Sequence, residues 1–161
     1  MLSDATKDFG RYSFVRVCSI EPDRNPAGEI QQYMPQARYE KRNVVPLNAY
    51  GEGPFCGFRI PNNLRHEGVY VLTVDGAPRY VGECVNLSSR YNTGYGNISP
   101  KNCYEGGQPT NCRVNTLVYE AAKEDTLIEL WFLETPKRKA IEDELIQRLN
   151  PAWNRKGLRL R

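Results

Sequence analysis

The sequence predicts an α/β (α+β) fold, in which a small, mainly antiparallel three-stranded sheet is flanked by helices and carries an N-terminal extension and an inserted loop. Three observations support this prediction. Two apolar, β-branched runs at 68–74 and 80–82 flank strong turn residues, the run 126–133 reads as a third strand, and Pro136 precedes a helix with apolar residues at helical spacing.

The predicted hairpin carries one tyrosine on each strand. Tyr70 lies in the first strand and Tyr80 in the second, and turn chemistry (Asp-Gly-Ala-Pro, 75–78) lies between them. We expect a three-residue loop, 75–77, which pairs Leu72 with Tyr80 and puts both phenols on one face; a loop of two or four residues would separate them. Tyrosines that only bury their rings and keep the hydroxyl wet would show the same pattern.

A short helix is predicted directly after the hairpin. Asn86 is a natural N-cap for it, and Arg90 lies one turn past its start. Residues 91–111 then lose all periodicity and are rich in Asn, Gly, Pro and Tyr, which predicts a long inserted loop. Such a loop suits contacts with bases and phosphates, although a packed Ω-loop has the same composition. Helix formers return over 113–125.

The last predicted helix carries a carboxylate within its apolar stripe. Ile141, Leu145 and Leu149 recur at helical spacing, and Glu142 lies in the middle of the stripe that they define. A carboxylate that faces a core is costly unless it is paired, hydrogen-bonded or bound to a metal. Glu142 is therefore either half of a structural salt bridge, for example with Arg90, or a functional group.

Composition excludes several classes of protein. With 40% hydrophobic and 25% charged residues the chain is not of the disordered type, and no apolar run approaches a membrane span. No signal peptide is visible, and five scattered cysteines favour free thiols in a reducing compartment. We therefore expect a cytoplasmic protein with no membrane partner. The net charge is +3, and the basic C-terminal tail, with Arg155 and Lys156, suits a phosphate backbone.

Taken together, these features resemble the GIY-YIG nuclease family over residues 68–154, and most resemble its compact restriction-endonuclease members. The matching features, in the family's order, are Gly68-Val-Tyr70, Tyr80-Val-Gly82, Arg90 in an Asn-Leu-x-x-Arg helix, and Glu142 upstream of Asn154 in Glu-x-x-x-Ile-x-x-x-x-Pro-x-x-Asn. The resemblance implies a nuclease domain over 68–161, with the loop 91–111 and the basic tail.

Residues 1–67 lie outside the resemblance. They are interpreted as an N-terminal extension that supplies DNA contacts, a dimer surface or added core. Within it, residues 11–20 alternate like a strand, residues 29–41 are compatible with a helix, and residues 54–60 with a short strand.

The resemblance implies a metal-dependent DNA endonuclease that leaves 5′-phosphate and 3′-hydroxyl ends, with Mg²⁺ as cofactor and Mn²⁺ as a substitute. The expected substrate is duplex DNA cut at a specific site, as in restriction systems. Cutting both strands would then require a homodimer or two visits by one active site. Two alternatives stay open: a structure-selective repair or recombination nuclease, and a nucleic-acid-binding module that has lost catalysis.

The resemblance also implies roles for individual residues. Glu142 would be the lone protein ligand of the metal, and Tyr70 would orient or deprotonate the attacking water, with Tyr80 beside it. Arg90 would stabilise charge on the phosphate. The supporting residues by the same comparison are Gly68, Gly82, Asn154 and Tyr95.

The chain departs from the family pattern at two positions. Many members have a lysine directly after Tyr-x-Gly, where this chain has Glu83, and many have His or Tyr where it has Gly94, next to Tyr95. Arg79 or Lys101 would have to supply the missing cation. The candidate DNA contacts are Arg79, Asn86, Lys101, Arg113, Arg155 and Lys156.

Overall fold

The computed structural model describes residues 5–154. These residues form two compact units. The first contains residues 5–20, 62–87 and 126–154, and the second contains residues 21–61 and 88–125. The residues predicted to form one N-terminal extension are therefore shared between the two units. Among residues 5–154, no helix is both long and apolar enough to cross a membrane.

The first unit is built on an antiparallel sheet of five strands, rather than the three predicted. The strands are β1 (Thr6–Phe9), β2 (Tyr12–Ser19), β3 (Gly68–Val74), β4 (Ala77–Cys84) and β5 (Ile128–Glu134). Their order is β1-β2-β5-β3-β4, so β1 and β4 are the edges. The additional strands come from the N-terminal extension, because β2 pairs with β5 and brings β1 with it. Alternation in the sequence predicts a strand at 11–20 but does not identify its partner.

The turn between β3 and β4 has two residues, Asp75 and Gly76, so the predicted three-residue loop is wrong. Both residues have positive φ, 49° and 86°, as a type I′ turn requires. This turn pairs Val74 with Ala77 directly across the hairpin. On an unbroken ladder, a two-residue turn would place Tyr80 on the face opposite to that of Leu72.

A β-bulge restores the predicted pairing further along the hairpin. Thr73 pairs with Pro78, but Leu72 pairs with Tyr80, so Arg79 is an extra residue on β4. The extra residue reverses the side-chain alternation of the rest of β4. Tyr80 therefore lies on the same face of the sheet as Leu72. The predicted Leu72–Tyr80 pair is therefore confirmed.

Helix α3, the helix predicted after Pro136, packs on one face of this sheet. It spans Arg138–Leu149 and contacts β3 and β4. Ile141 and Leu145 are buried in a cluster with strand residues that include Val69, Val71 and Val81. These strand residues define the α3 face of the sheet. A short 3₁₀ helix, Ala152–Asn154, follows and contacts β4.

The β1–β2 hairpin is hydrogen-bonded to the middle of α3. Arg11 donates two hydrogen bonds to the carboxylate of Glu144, from Nε at 2.9 Å and Nη2 at 3.1 Å, and the hydroxyl of Tyr12 donates a third at 2.8 Å. The hydrogen bond from Arg11, followed by that from Tyr12, lowers the pKa of Glu144 to about 2. The N-terminal strands therefore help to orient α3 as well as to extend the sheet.

The second unit contains helical segments where a structureless loop, 91–111, was expected. Helix α1 (Leu87–Arg90) starts directly after Asn86 and continues into a π-helical turn, Tyr91–Tyr95. A 3₁₀ helix, Pro100–Cys103, follows, and helix α2 (Pro109–Lys123) begins four residues before the predicted start at 113. Local composition missed these turns because asparagine side chains stabilise them; Asn102, for example, forms a reciprocal capping box with Ser99.

The segment 54–60 is not the short strand that was predicted. Its ladder is limited to one isolated antiparallel bridge, between Phe55 and Tyr33, and two asparagine side chains bind its main chain further along. Asn92 bonds both the N–H and the C=O of Ile60, at 2.8 and 2.9 Å, and Asn115 bonds those of Cys56, at 3.0 and 2.8 Å. The helix predicted at 29–41 is likewise reduced to one 3₁₀ turn, Pro35–Arg38. All five cysteines are free thiols, as predicted.

Candidate active site

The hairpin brings Tyr70 and Tyr80 together on one face of the sheet. Their ring centroids are 6.2 Å apart and the ring planes are inclined by 38°. Tyr70 is 1% exposed and Tyr80 is 9% exposed, so both rings belong to the core. This contact depends on the bulge at Arg79, because the turn alone would have placed the rings on opposite faces.

Gly82 leaves room for the Tyr70 side chain on the neighbouring strand. The two residues pair across β3 and β4. A Cβ at Gly82 would lie 2.7 Å from Cε1 of Tyr70, and closer still to Cζ and to the hydroxyl oxygen. The phenol therefore lies directly over the Gly82 main chain, and its hydroxyl is carried onto the edge strand.

Gly68 allows a similar close approach on the other side of β3. A Cβ there would lie 2.8 Å from the ring of Phe132, and closer to the carbonyl oxygen of Leu133 on β5. Side chains larger than hydrogen would separate the start of β3 from β5. The two glycines thus permit the packing that sets the position of Tyr70.

Asn154 fixes the main chain of β4 between Tyr80 and Gly82. Its Oδ1 accepts a hydrogen bond from the N–H of Val81, and its Nδ2 donates one to the Val81 carbonyl, both at 2.7 Å. Since β4 is an edge strand, this amide takes the place of the strand that is missing on the free side. Asn154 therefore acts on the adjoining backbone.

Glu142 lies on α3, which packs on the opposite face of the sheet from the phenol rings. The helix packs with Val71 and Val81, whereas Tyr70 and Tyr80 alternate with these residues along their strands. Glu142 itself is half-buried. The Tyr70 hydroxyl lies over Gly82 on the edge strand β4, on the face away from α3.

Glu83, which replaces the expected lysine, forms an ion pair with Arg138 at the start of α3. The guanidinium donates from Nη1 to Glu83 and from Nε to Oε1 of Glu67, the latter at 3.2 Å. Hydrogen bonds to these two carboxylates, first that to Glu83, raise the pKa of Arg138. The sequence presents Arg138 only as part of a basic cluster, 137–139, that suits a phosphate backbone, and its pairing with Glu83 and Glu67 was not predicted.

Arg90 is the last residue of α1, belongs to the second unit and is half-buried. The π-helical turn begins directly after it, and its characteristic bond runs from the N–H of Gly96 to the carbonyl of Tyr91, at 2.7 Å. Such a turn holds one extra residue, so Tyr95 takes the helical position that an α-helix would give to Gly94. The ring of Tyr95 is buried and packs edge-on against Tyr91, with centroids 5.2 Å apart.

The remaining candidates for DNA contact differ in exposure. Arg79 is the half-buried bulge residue of β4, and Asn86 precedes α1. In the second unit Lys101 is exposed, whereas Arg113 is 9% exposed on α2. Arg155 and Lys156 lie outside the described residues.

The donor set is compatible with a divalent cation held by few protein ligands. Residues 5–154 contain no cluster of three or more His, Cys, Asp or Glu side chains that could enclose a metal. Magnesium commonly keeps several waters and binds through one or two carboxylates together with phosphate oxygens. A half-buried glutamate at the centre of an apolar stripe fits such a single ligand.

The comparisons with known proteins give a structural similarity but no sequence match. No protein-family model and no curated protein sequence matches the chain. A solved structure of an EndoII mutant from bacteriophage T4 is 17% identical, with 88% of this chain and 91% of that chain covered and a TM-score of 0.48. The similarity thus extends over most of both chains.

Proposed function

We propose that this chain is a metal-dependent DNA endonuclease of the GIY-YIG type, which cuts duplex DNA at a specific site. The observation that carries the proposal is the tyrosine pair: Tyr70 and Tyr80 share one face, and the Tyr70 hydroxyl lies over Gly82 on the edge strand. A core tyrosine does not need a glycine opposite it. The glycine lets the phenol lie over the edge strand, where we propose that its hydroxyl handles water or substrate.

Tyr70 is proposed to orient or deprotonate the water that attacks the phosphorus, with Tyr80 in the same hydrogen-bond network. A phenol has an ordinary pKa of about 10, so it serves as a base near neutral pH only beside positive charge. The proposed sources of this charge are the metal ion and Arg90. The burial of the Tyr70 ring limits its motion, so the hydroxyl is held at one place.

Glu142 is proposed as the protein ligand of Mg²⁺, with Mn²⁺ as a substitute. When bound, the ion would polarise the scissile phosphate and stabilise the leaving oxygen, which gives 5′-phosphate and 3′-hydroxyl ends. The support for this role is the half-buried position of Glu142 on a helix that packs against the edge strand. The proposal requires the carboxylate and the phenol to act on one phosphate at the edge strand β4, from the two faces of the sheet.

Arg90 is proposed to bind the phosphate and to stabilise the charge that accumulates on it. A guanidinium is planar, permanently charged and able to form two parallel hydrogen bonds with phosphate oxygens. Tyr95, shifted by the π-helical turn, is proposed as its neighbour in place of the residue that Gly94 replaces. Asn154 has a supporting role, because it holds the backbone between Tyr80 and Gly82.

The test is incubation of the pure protein with supercoiled plasmid and phage DNA, with Mg²⁺ or with EDTA, followed by mapping of the ends. We expect Mg²⁺-dependent cleavage to discrete bands, and loss of cleavage in Glu142→Ala. Asp143→Ala is the matched control, because it removes an exposed carboxylate from the neighbouring position of the same helix. Equal loss in both variants would contradict the role of Glu142.

Two other outcomes would replace the proposal. Cleavage confined to branched or flapped substrates would identify a structure-selective repair or recombination nuclease. Binding of DNA without any metal-dependent nicking, unchanged in Glu142→Ala, would identify a binding module. Sedimentation of the protein with and without DNA would show whether two copies act together on the two strands.

A further inference from the structure

The first turn of α3 is held by an ion-pair bridge to the β3–β4 hairpin. Arg138, the first residue of the helix, binds Glu83 through Nη1 and Glu67 through Nε at 3.2 Å. The side chains of Arg138 and Glu83 are each 22% exposed, and that of Glu67 is 46% exposed. This bridge is thus partly shielded, unlike the Arg11–Glu144 pair, whose arginine side chain is 72% exposed.

Both carboxylates lie at the end of the hairpin where the candidate site is found. Glu83 directly follows Gly82 on β4, and Glu67 directly precedes Gly68 at the start of β3. Glu83 pairs with Val69 across the hairpin, next to the Tyr70–Gly82 pair. A contact at Glu83 therefore acts one residue away from the main chain over which the Tyr70 hydroxyl lies.

The start of α3 has one local side-chain hydrogen bond, from the N–H of Lys137 to Oγ1 of Thr135 at 3.1 Å. Lys137 at the N-cap makes no capping hydrogen bond through its side chain, and the first turn contains no acidic residue. Positive charges near a helix N-terminus interact unfavourably with the helix dipole. The carboxylates of Glu67 and Glu83 offset the positive charges of Arg138 and its neighbours. The bridge therefore adds carboxylates to a helix end whose own first turn has none.

Arg138 and Glu142 are four residues apart on α3 and so lie on the same side of the helix. We propose that Arg138 is a positioning residue, which ties the first turn of α3 to β4 and thereby sets the place of the Glu142 carboxylate relative to the Tyr70 hydroxyl. The inference rests on the proposed function, because it assigns Glu142 to metal binding. Glu83 stands where many members of the family have a lysine. Under this proposal its carboxylate anchors α3, the helix that carries the metal ligand.

A merely structural role predicts something different. A partly exposed ion pair contributes little to global stability, so its loss should leave the melting temperature nearly unchanged. Loss of a group that orients a metal ligand instead weakens metal binding, commonly by about tenfold or more. Metal affinity therefore separates the two roles, because it falls only if Arg138 positions Glu142.

The test compares Arg138→Met with Lys139→Met, which removes the same charge from the next residue, an exposed lysine of the same turn. For Arg138→Met we expect the Mg²⁺ concentration for half-maximal nicking to rise by about tenfold, with most of the rate recovered at saturating Mg²⁺. Lys139→Met should keep the wild-type requirement. Arg138→Lys should keep part of the wild-type Mg²⁺ affinity, because a lysine can bind one of the two carboxylates.

Two readouts are independent of nuclease activity. Mn²⁺ binding measured by electron paramagnetic resonance should weaken in Arg138→Met and not in Lys139→Met. Amide hydrogen exchange over residues 138–142 should be faster in Arg138→Met alone. Unchanged exchange and metal binding in Arg138→Met, or equal changes in both variants, would overturn the inference. Wild-type protein that does not nick DNA would overturn the proposed function, while exchange still tests the bridge.

Discussion

The hydroxyl of Tyr70 occupies the space that a side chain at Gly82 would need. A Cβ at Gly82 would fall within 2.7 Å of Cε1 of Tyr70, and the hydroxyl oxygen is nearer still. The closeness arises because the two residues pair across β3 and β4 and the ring leans over the partner strand. Any group added at Gly82 must therefore displace the phenol.

Gly82→Ala should impair nicking more than folding. We expect a loss of stability of about 1–3 kcal/mol from overpacking, measured by urea unfolding, together with loss of most of the activity. Gly94→Ala is the control, because its new Cβ would meet its nearest neighbour, Oδ1 of Asn111, at an ordinary 3.5 Å. Wild-type nicking by Gly82→Ala would show that the place of the Tyr70 hydroxyl is unimportant for the reaction.

Asn154→Ala should weaken the attachment of β4. The substitution removes both hydrogen bonds to Val81 and leaves its main-chain groups without this partner, so we expect a loss of about 1–3 kcal/mol in the free energy of unfolding. Asn97→Ala, which shortens an exposed amide in the second unit, should change stability by less than about 0.5 kcal/mol. Similar unfolding midpoints for the two variants would contradict the stated role of Asn154.

Arg90→Ala should slow the chemical step rather than unfold the protein. Removal of one preorganised electrostatic contact commonly raises the barrier by about 3–4 kcal/mol, which would appear in single-turnover cleavage at saturating protein. Arg59→Ala removes an exposed arginine of the same unit and controls for the loss of charge. A normal single-turnover rate in Arg90→Ala would remove this residue from the proposed mechanism.

The Arg11–Glu144–Tyr12 cluster should make stability depend on acidic pH. The pKa of Glu144 is lowered from 4.5 to about 2, so its stabilising contribution is complete above the unfolded value and is lost as the pH falls through the folded value. Urea midpoints should therefore decline below pH 4.5 less steeply in Glu144→Gln than in wild type. The control, Glu120→Gln, changes an exposed carboxylate on α2 and should follow the wild-type slope.

Local patterns predicted the elements of the first unit well. The β-branched runs around Asp75 and Gly76 predicted a hairpin, and the apolar spacing after Pro136 predicted α3 with Glu142 in its stripe. These features depend on neighbouring residues, which is why one sequence is enough to find them. The pairing of Leu72 with Tyr80 was also predicted, but for an incorrect reason, since a bulge at Arg79 compensates for the shorter turn.

Contacts between distant residues were outside the reach of these patterns. Neither the pairing of β2 with β5 nor the bridge from Arg138 to Glu83 has a local signature. The same is true of Asn92, Asn115 and Asn154, each of which binds both main-chain groups of a residue far away in sequence. From local sequence an asparagine predicts a turn or a loop. In the folded chain each of these amides instead hydrogen-bonds a main chain that is remote in sequence.

The sequence by itself determined which residue types are available and where the chain turns, because both follow from side-chain periodicity and local backbone preference. Only the tertiary structure decided that the sheet has five strands, that the Tyr70 hydroxyl lies on the edge strand, and that Glu83 anchors α3. Strand partners and ion pairs join segments that are remote in the chain. Their interaction energies contribute only when folding brings those segments together, so local sequence patterns do not reveal them.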